Sequence, residues 1–174
     1  MITVTTDEGL LLALLNTTPT IGGARTDRLA DTEEARTWIE EQVGGQCADE
    51  DIALLRATRD ALQALVHGDV TPMALAPALE DVSYRAAIGP DGITWELTAP
   101  AGRALAARAA LAWDALQSST PGRVRRCENT EECSLFLIDR SKSNSARWCS
   151  MAGCGNRMKA RRHYERRKNA HPKR

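Results

Sequence analysis

Long hydrophobic runs are missing from this sequence of 174 residues. No apolar stretch approaches the roughly 20 residues that a helix needs to cross a bilayer, so we expect no membrane partner. The first residues, MITVTTDEGL, carry neither the basic segment nor the cleavage site of a signal peptide. We therefore expect a cytoplasmic protein, in which thiols stay reduced and clustered cysteines more often bind metal than form disulfides.

Catalytic motifs are lacking as well. The sequence contains no G-x-S-x-G element, no P-loop and no dinucleotide-binding fingerprint. Adjacent acidic residues occur, but their placement is typical of solvated helix faces. We therefore do not expect an enzyme. A small-molecule ligand of the amino-terminal part stays open, with Asn16, Arg25 and Arg28 as candidate contacts.

The chain has no net charge, but its basic and acidic residues are unevenly distributed. The sequence has 23 basic and 23 acidic residues. Residues 1–119 hold 8 basic and 18 acidic residues, whereas residues 120–174 hold 15 basic and 5 acidic ones. A Ser-Ser-Thr-Pro-Gly linker pattern at residues 118–122 coincides with this change of sign. The sequence therefore predicts a regulatory domain over residues 1–119 and a small basic domain over residues 120–174, suited to a polyanion.

Hydrophobic periodicity predicts an α+β protein with a mostly helical amino-terminal domain. Helical spacing is found over residues 7–16, 31–43, 49–66, 72–80 and 100–117. Two short strands, 82–88 and 93–98, flank a Gly-Pro-Asp-Gly turn and predict a small β-hairpin. We expect Trp38, Trp95 and Trp113 to lie in the core of this domain.

Four of the five cysteines are clustered: Cys127, Cys133, Cys149 and Cys154 follow the pattern C-x5-C-x15-C-x4-C. Two close pairs separated by a longer insert are what a tetrahedral four-thiolate zinc site needs, because each pair forms a knuckle and the insert brings the knuckles together. Two disulfides are the alternative. Cys47 is far from this cluster, and we expect it to be an ordinary thiol.

The basic domain also has few large apolar residues, so the stability of a domain of this size is marginal without disulfides or a bound metal. Structural zinc contributes on the order of 10 kcal/mol or more of binding energy that is also folding energy. Because all four ligands come from the protein, no position is left for a water molecule, and we expect a structural rather than a catalytic Zn²⁺.

Local patterns in the basic domain predict a knuckle, a hairpin and a basic helix. The pattern predicts a strand over residues 134–139, a turn over residues 140–144 and a second strand, over residues 146–149, that pairs back with the first. Residues 157–168 read as a helix, and we expect its one aromatic residue, Tyr164, to be part of the core.

Cations dominate the predicted helix and its approach. The candidate nucleic-acid contacts are Arg147, Arg157, Lys159, Arg161, Arg162, Arg166, Arg167 and Lys168. These like charges repel one another, and an anionic partner would relieve that cost. Each neutralised phosphate of a duplex releases counterions, so we expect DNA as the partner.

Two other interpretations of these cations stay open. A zinc ion with four thiolates carries a charge of −2, so nearby arginines could serve to neutralise it; this lowers the net charge of the basic domain only from +10 to about +8. Alternatively, the basic domain could dock on the acidic residues 1–119 as a protein-interaction module.

The run WCSMAGCGNRMKARRHYERRK, from Trp148 to Lys168, resembles the signature of the CGNR zinc-finger family. The sequence Cys-Gly-Asn-Arg at residues 154–157 is the motif itself. Upstream, Cys127, Cys133 and the pair Phe136 and Asp139 fit the same pattern.

The amino-terminal part is similar to the domain that accompanies this finger, named ABATE, through Leu-Leu-Asn-Thr at residues 14–17 and through the order of its elements. Members of the family are regarded as stress-related transcription regulators. The resemblance implies a zinc-dependent DNA-binding regulator, whose amino-terminal domain senses a signal or mediates oligomerisation, for instance as a homodimer. An RNA-binding module is the alternative for the finger.

Overall fold

The computed structural model describes residues 7–21, 23–43 and 51–170. The helices in these ranges are α1 (Asp7–Leu15), α2 (Thr32–Val43), α3 (Ile52–His67), α4 (Ala76–Leu79), α5 (Ala104–Ser119) and α6 (Asn156–Ala170). The strands are β1 (Thr20–Ile21), β2 (Ala24–Arg25), β3 (Ser83–Gly89), β4 (Gly92–Thr98), β5 (Val124–Arg126) and β6 (Phe136–Ile138). They pair consecutively into three antiparallel two-stranded sheets. The predicted α+β class is confirmed.

Several predicted boundaries shift for local reasons. Helix α3 begins at Ile52 because Asp51 caps it, its carboxylate accepting a hydrogen bond from the Leu54 N–H at 3.0 Å; residues 49–50 of the predicted helix lie outside the described ranges. Helix α5 begins only at Ala104, since Gly102 adopts a left-handed φ of +82° and ends a preceding turn. A 3₁₀ turn (Pro72–Leu75) precedes α4, and a π turn (Met151–Gly155) precedes α6.

Helices α1, α3 and α5 build the core of the amino-terminal part. Helix α1 buries four leucines, including Leu11 and Leu14, and α3 contributes Leu55. Alanines such as Ala106 and Ala109 line the buried side of α5. Their small side chains let α1 and α5 lie close together, so the alanine richness of α5 serves packing.

An ion pair between a buried arginine and a half-buried aspartate holds the loop that follows α1. The Arg59 guanidinium donates a 2.6 Å hydrogen bond to Asp27, and the Arg59 side chain is only 5% exposed. This hydrogen bond, with one from the Leu29 N–H, keeps the pKa of Asp27 below its usual value although burial alone would raise it. Helix α3 thereby fixes the path of the chain between α1 and α2.

The β5–β6 sheet joins the basic segment to the helical core. Val124 and Phe136 are buried in the same apolar cluster as the leucines of α1. Asn16, at the end of α1, hydrogen-bonds both backbone groups of Phe136. Ser134 donates to the Thr18 carbonyl at 2.9 Å. The two parts of the chain therefore share one core through this sheet.

The predicted returning strand at residues 146–149 is wrong. Strand β6 pairs instead with β5, with Val124 opposite Ile138. The reason lies in the Asp139 side chain, which accepts hydrogen bonds from the N–H groups of Ser141 and Ala146, both at 2.8 Å. The carboxylate thus satisfies the donors that a strand ladder would otherwise have used.

The β3–β4 hairpin forms as predicted, but none of its residues is buried. The prediction that Trp95 lies in the core is wrong, since its side chain is 68% exposed, whereas Trp38 and Trp113 are buried as expected. The alternation of apolar residues was interpreted correctly. In the described part of the chain, however, the apolar face of the hairpin is left uncovered.

No helix among the described residues has the length and apolar character needed to cross a membrane.

Candidate metal centre and basic helix

The four clustered cysteines bring their sulfurs together. The Sγ atoms of Cys127, Cys133, Cys149 and Cys154 all lie within 4.8 Å of one another. The distances from Cys149 Sγ to Cys133 Sγ and to Cys154 Sγ are both 3.7 Å. A disulfide bond measures about 2.05 Å, and tetrahedral zinc with bonds of about 2.3 Å places its sulfurs about 3.8 Å apart. The spacing fits a metal centre and does not fit paired disulfides.

Backbone hydrogen bonds shape the first knuckle, which runs from Cys127 to Cys133. The Cys127 N–H donates to the Leu135 carbonyl at 2.8 Å, and the Cys133 N–H donates to the Asn129 carbonyl at 2.9 Å. These two bonds fold the five intervening residues into a turn. They direct both thiols to the same side, where three of the four clustered cysteines are buried.

The second knuckle is the π turn that carries Cys154. The Ser150 hydroxyl accepts from the Gly153 N–H at 3.2 Å, and the Ser150 carbonyl accepts from the Gly155 N–H at 2.9 Å. A Cβ atom at Gly155 would lie 3.0 Å from the Met151 sulfur and 3.2 Å from Trp148 Cδ1. A larger residue here would require Met151 and Trp148 to move by a few tenths of an ångström, so glycine is favoured for space rather than for an unusual backbone angle.

Asn129 is a site residue that the sequence interpretation missed. Its side chain is almost fully buried, and its amide nitrogen donates to Cys154 Sγ at 3.6 Å. Such a hydrogen bond orients the sulfur and stabilises its charged form. The signal available in the sequence was the position of Asn129 between two ligands of one knuckle.

The ionisation of the thiols depends on their surroundings. Burial raises the pKa of Cys133 and Cys149, and the neighbouring sulfurs raise that of Cys149 further. Burial would also raise the pKa of Cys154, but hydrogen bonds from Asn129 and the other thiols outweigh it and lower the pKa. Four thiolates at this spacing need a cation to balance their repulsion. A soft, tetrahedral divalent ion such as Zn²⁺ suits this donor set.

The cations on one face of α6 form ion pairs with carboxylates of the same basic domain. Arg161 forms a hydrogen bond of 3.0 Å to Glu131 and a second ion pair, of 3.1 Å, to Glu165. Arg157 lies 3.7 Å from Glu132. These contacts raise the pKa of Arg161, mainly through the hydrogen bond to Glu131, and lower that of Glu131. We call this the paired face of α6.

Arg147 has a similar intramolecular partner in Glu128, whose pKa is lowered mainly by the hydrogen bond from Arg147. Arg125 donates to the carbonyls of Gly122 and Asn144. The partners found for Arg147 and Arg125 are thus a carboxylate and two carbonyls.

A second face of α6 keeps its cations exposed. Lys159, Arg162 and Arg166 line a shallow groove of about 470 Å³ together with Glu165. Residues three, four and seven positions apart share a helix face, which brings these three cations together. Within the described residues, none of the three takes part in a salt bridge. We call this the open face of α6.

Trp148 connects the open face to the metal centre. Its ring packs against the cysteine cluster, and the Arg162 guanidinium lies 6.0 Å from the ring centroid. The Arg147 guanidinium lies 5.0 Å from the same ring. Cation–π contacts of this kind orient arginine side chains while leaving their N–H groups available.

The other predicted residues of α6 have different outcomes. Tyr164 is 72% exposed, so the prediction that it belongs to the core is wrong. It lies on a helix that projects beyond the finger, where no core is available. Arg167 is exposed, and the side chain of Lys168 lies outside what the structure describes, as does Cys47.

Two of the three candidate ligand contacts in the amino-terminal part have intramolecular partners. Asn16 is bound to Phe136, and Arg28 pairs with Glu41 at 3.0 Å. Arg25 is exposed in β2.

The basic domain does contact the acidic residues 1–119, but mainly through apolar residues of the β5–β6 sheet and not through its cations. The only such ion pair involving a cation of the finger, within the described ranges, joins Arg140 to Glu8 at 2.9 Å.

Comparison with known families agrees with this architecture. Residues 8–120 match the ABATE family, described as "Putative stress-induced transcription regulator". Residues 123–167 match the CGNR zinc finger. No curated protein matches the chain. Because the first match covers more than half of its length, the chain belongs to the ABATE family, and its carboxyl-terminal segment is a CGNR zinc finger.

Proposed function

We propose that this protein is a zinc-dependent, DNA-binding transcription regulator. Residues 120–174 form the nucleic-acid-binding domain, and residues 1–119 form the domain that senses a signal or mediates oligomerisation. The four cysteines hold a structural Zn²⁺, which fixes the direction of α6 without contacting DNA. The observation that carries the proposal is the open face of α6, where Lys159, Arg162 and Arg166 lie together next to a rigid metal knuckle.

The division of α6 into two faces assigns different roles to its cations. Lys159, Arg162 and Arg166 contact phosphates directly, because they have no carboxylate partner to displace among the described residues. Arg157 and Arg161 must first exchange a carboxylate for a phosphate, so they contribute less. Arg147 pairs with Glu128 and must make the same exchange, whereas the ring of Trp148 holds Arg162 in place without occupying it with a carboxylate.

One experiment tests both the bound zinc and the binding of duplex DNA. The zinc content of the purified full chain is measured first, and duplex DNA binding is then measured by fluorescence anisotropy before and after chelation. We expect about one zinc per chain, loss of binding on chelation and recovery on adding Zn²⁺. Affinity should fall with salt, with a log–log slope near −0.9 per phosphate contacted. A metal-free protein, or an affinity for DNA that salt does not change, would refute the proposal.

A single-stranded RNA partner is the second candidate, favoured by one observation. Tyr164 is exposed among the cations of α6, where its ring could stack on an unpaired base. Competition between duplex DNA and single-stranded RNA for the same labelled chain distinguishes the two. Tyr164→Ala should weaken RNA binding and leave the affinity for duplex DNA nearly unchanged.

A further inference from the structure

The β3–β4 hairpin has one apolar face. Its register places Tyr84 opposite Leu97, Trp95 opposite Ala86, and Ile88 opposite Ile93. Because side chains alternate along a strand, these six residues lie on the same face. The opposite face carries Thr94 and the ion pair between Arg85 and Glu96, at 3.1 Å. The hairpin is therefore as amphipathic as a strand pair that covers a core.

Most of this face is uncovered among the described residues, although Tyr84 at one end borders a pocket with Leu111 and Leu116 of α5. Ile88 is 87% exposed and Ile93 67%, values comparable with that of Trp95. None of the hairpin residues belongs to an apolar cluster formed by the described residues. Isolated two-stranded hairpins are marginally stable in water and normally pack against something. Exposed apolar surface of this kind marks an interaction site.

The size and charge of the face indicate what covers it. Its four most exposed large side chains present on the order of 500 Å² of apolar surface, so two copies together would bury about 1,000 Å², the lower limit for a specific interface. The residues of the apolar face carry no charge. A phosphate backbone gains nothing from such a surface. A second copy of the same face can meet it without like-charge repulsion, since a two-fold axis brings identical patches together.

We propose that the apolar face of the β3–β4 hairpin is a homodimer interface, in which the hairpins of two copies of this chain pack face to face. The two hairpins then form a small sandwich with Trp95 and Tyr84 of each copy in its interior and the Arg85–Glu96 pairs outside. Sheets packed in this way lie about 10 Å apart, which aromatic side chains of this size fill. This inference rests on the oligomerisation role proposed for residues 1–119 and is independent of the proposed DNA binding.

The test is the mass of the zinc-loaded full chain in solution, measured by sedimentation equilibrium up to its solubility limit. The wild-type protein should have twice the chain mass of 19.0 kDa. Trp95→Glu buries a charge in the interface and should raise the dimer dissociation constant about 100-fold or more, giving monomers. The matched control is Thr94→Glu, which adds the same charge to the adjacent residue on the opposite face and should remain dimeric.

Ile88→Lys separates loss of the interface from loss of folding. Because Ile88 is the most exposed residue of the face, this change leaves the folded monomer intact, and circular dichroism should be that of the wild type. A monomeric, folded Ile88→Lys variant supports the proposal even where Trp95→Glu fails to fold. A wild-type chain that stays monomeric overturns it, and so does a dimer that persists in both the Ile88→Lys and Trp95→Glu variants.

Discussion

The side chain of Asn16 binds Phe136 as a neighbouring strand would. Its amide oxygen accepts from the Phe136 N–H at 2.7 Å, and its amide nitrogen donates to the Phe136 carbonyl at 3.2 Å. One residue of the helical part thus satisfies both backbone groups at the edge of the finger's sheet. The contact lies beside the buried Phe136 side chain, whose ring stacks on His67 at 5.7 Å between centroids.

We expect Asn16→Ala to lower the free energy of unfolding by about 2 kcal/mol, because two hydrogen bonds are lost and two backbone groups are left unpaired at a partly buried site. Urea denaturation of the zinc-loaded protein measures this. The control is Asn156→Ala, which removes an exposed amide with one hydrogen bond of 3.4 Å and should cost much less. Equal effects of the two substitutions would show that Asn16 does not hold the two parts together.

Cys154→Ser should abolish stoichiometric zinc binding and unfold the finger, since three thiolates remain and the second knuckle loses its attachment. Zinc content by atomic emission and resistance of residues 123–170 to a protease report the two effects. Cys47→Ser, outside the C-x5-C-x15-C-x4-C pattern, should leave both unchanged. Retention of a full zinc equivalent by Cys154→Ser would mean that this sulfur is not a ligand.

Neutralising the open face of α6 should weaken DNA binding more than neutralising the paired face. Arg162→Gln and Arg166→Gln should each reduce affinity and lower the salt slope by about 0.9, because each loses one phosphate contact. Arg161→Gln, on the paired face, should have a smaller effect. Salt titrations of binding to one duplex compare the three variants. A larger loss for Arg161→Gln than for Arg162→Gln would contradict the assignment of faces.

The carboxylates of the first knuckle should compete with DNA phosphates for the arginines of α6. Glu131→Gln removes one of the two carboxylate partners of Arg161 and leaves Glu165, and we expect affinity for duplex DNA to rise roughly two- to fivefold at low salt. Glu96→Gln makes the same change of charge on the distant hairpin and is the control for net charge alone. If both variants gain equally, the ion pair with Arg161 has no specific role.

The Asp27–Arg59 pair predicts an acid-sensitive part of the stability. The pKa of Asp27 is lower in the folded chain than the value of about 3.9 expected when unfolded, so its contribution is complete above that pH and is lost as the pH falls through the folded value. Asp27→Asn leaves Arg59 its second partner, Asp60 at 2.9 Å, and should therefore destabilise the protein by about 1–3 kcal/mol at pH 7. The difference from the wild type should shrink below pH 4. A constant difference from pH 7 to pH 3 would contradict this.

The metal cluster was the most predictable feature from the sequence. Four thiols have to converge on one ion, so their spacing alone predicted a set of sulfurs that the structure brings within 4.8 Å. Helix positions followed from apolar periodicity, and the β3–β4 hairpin from its Gly-Pro-Asp-Gly turn. These are local signals, or signals constrained by coordination chemistry.

The remaining features depend on contacts between distant residues. The pairing of β6 with β5 instead of residues 146–149 was decided by the Asp139 side chain, which has no counterpart in a hydrophobic pattern. The alternation around Trp95 predicted an apolar face but not whether the same chain would cover it. Similarly, the number of cations on α6 could not tell which of them Glu131 and Glu132 would neutralise.

The burial of Val124 and Phe136 in the core of the helical part has a consequence for grafting this finger onto another protein. Cutting the chain near residue 120 would expose both side chains to water and deprive the β6 edge of Asn16. The finger therefore shares part of its stability with the helical part of the chain. Under the proposed function, the position of the finger on DNA is set by that helical part, and not by a flexible linker.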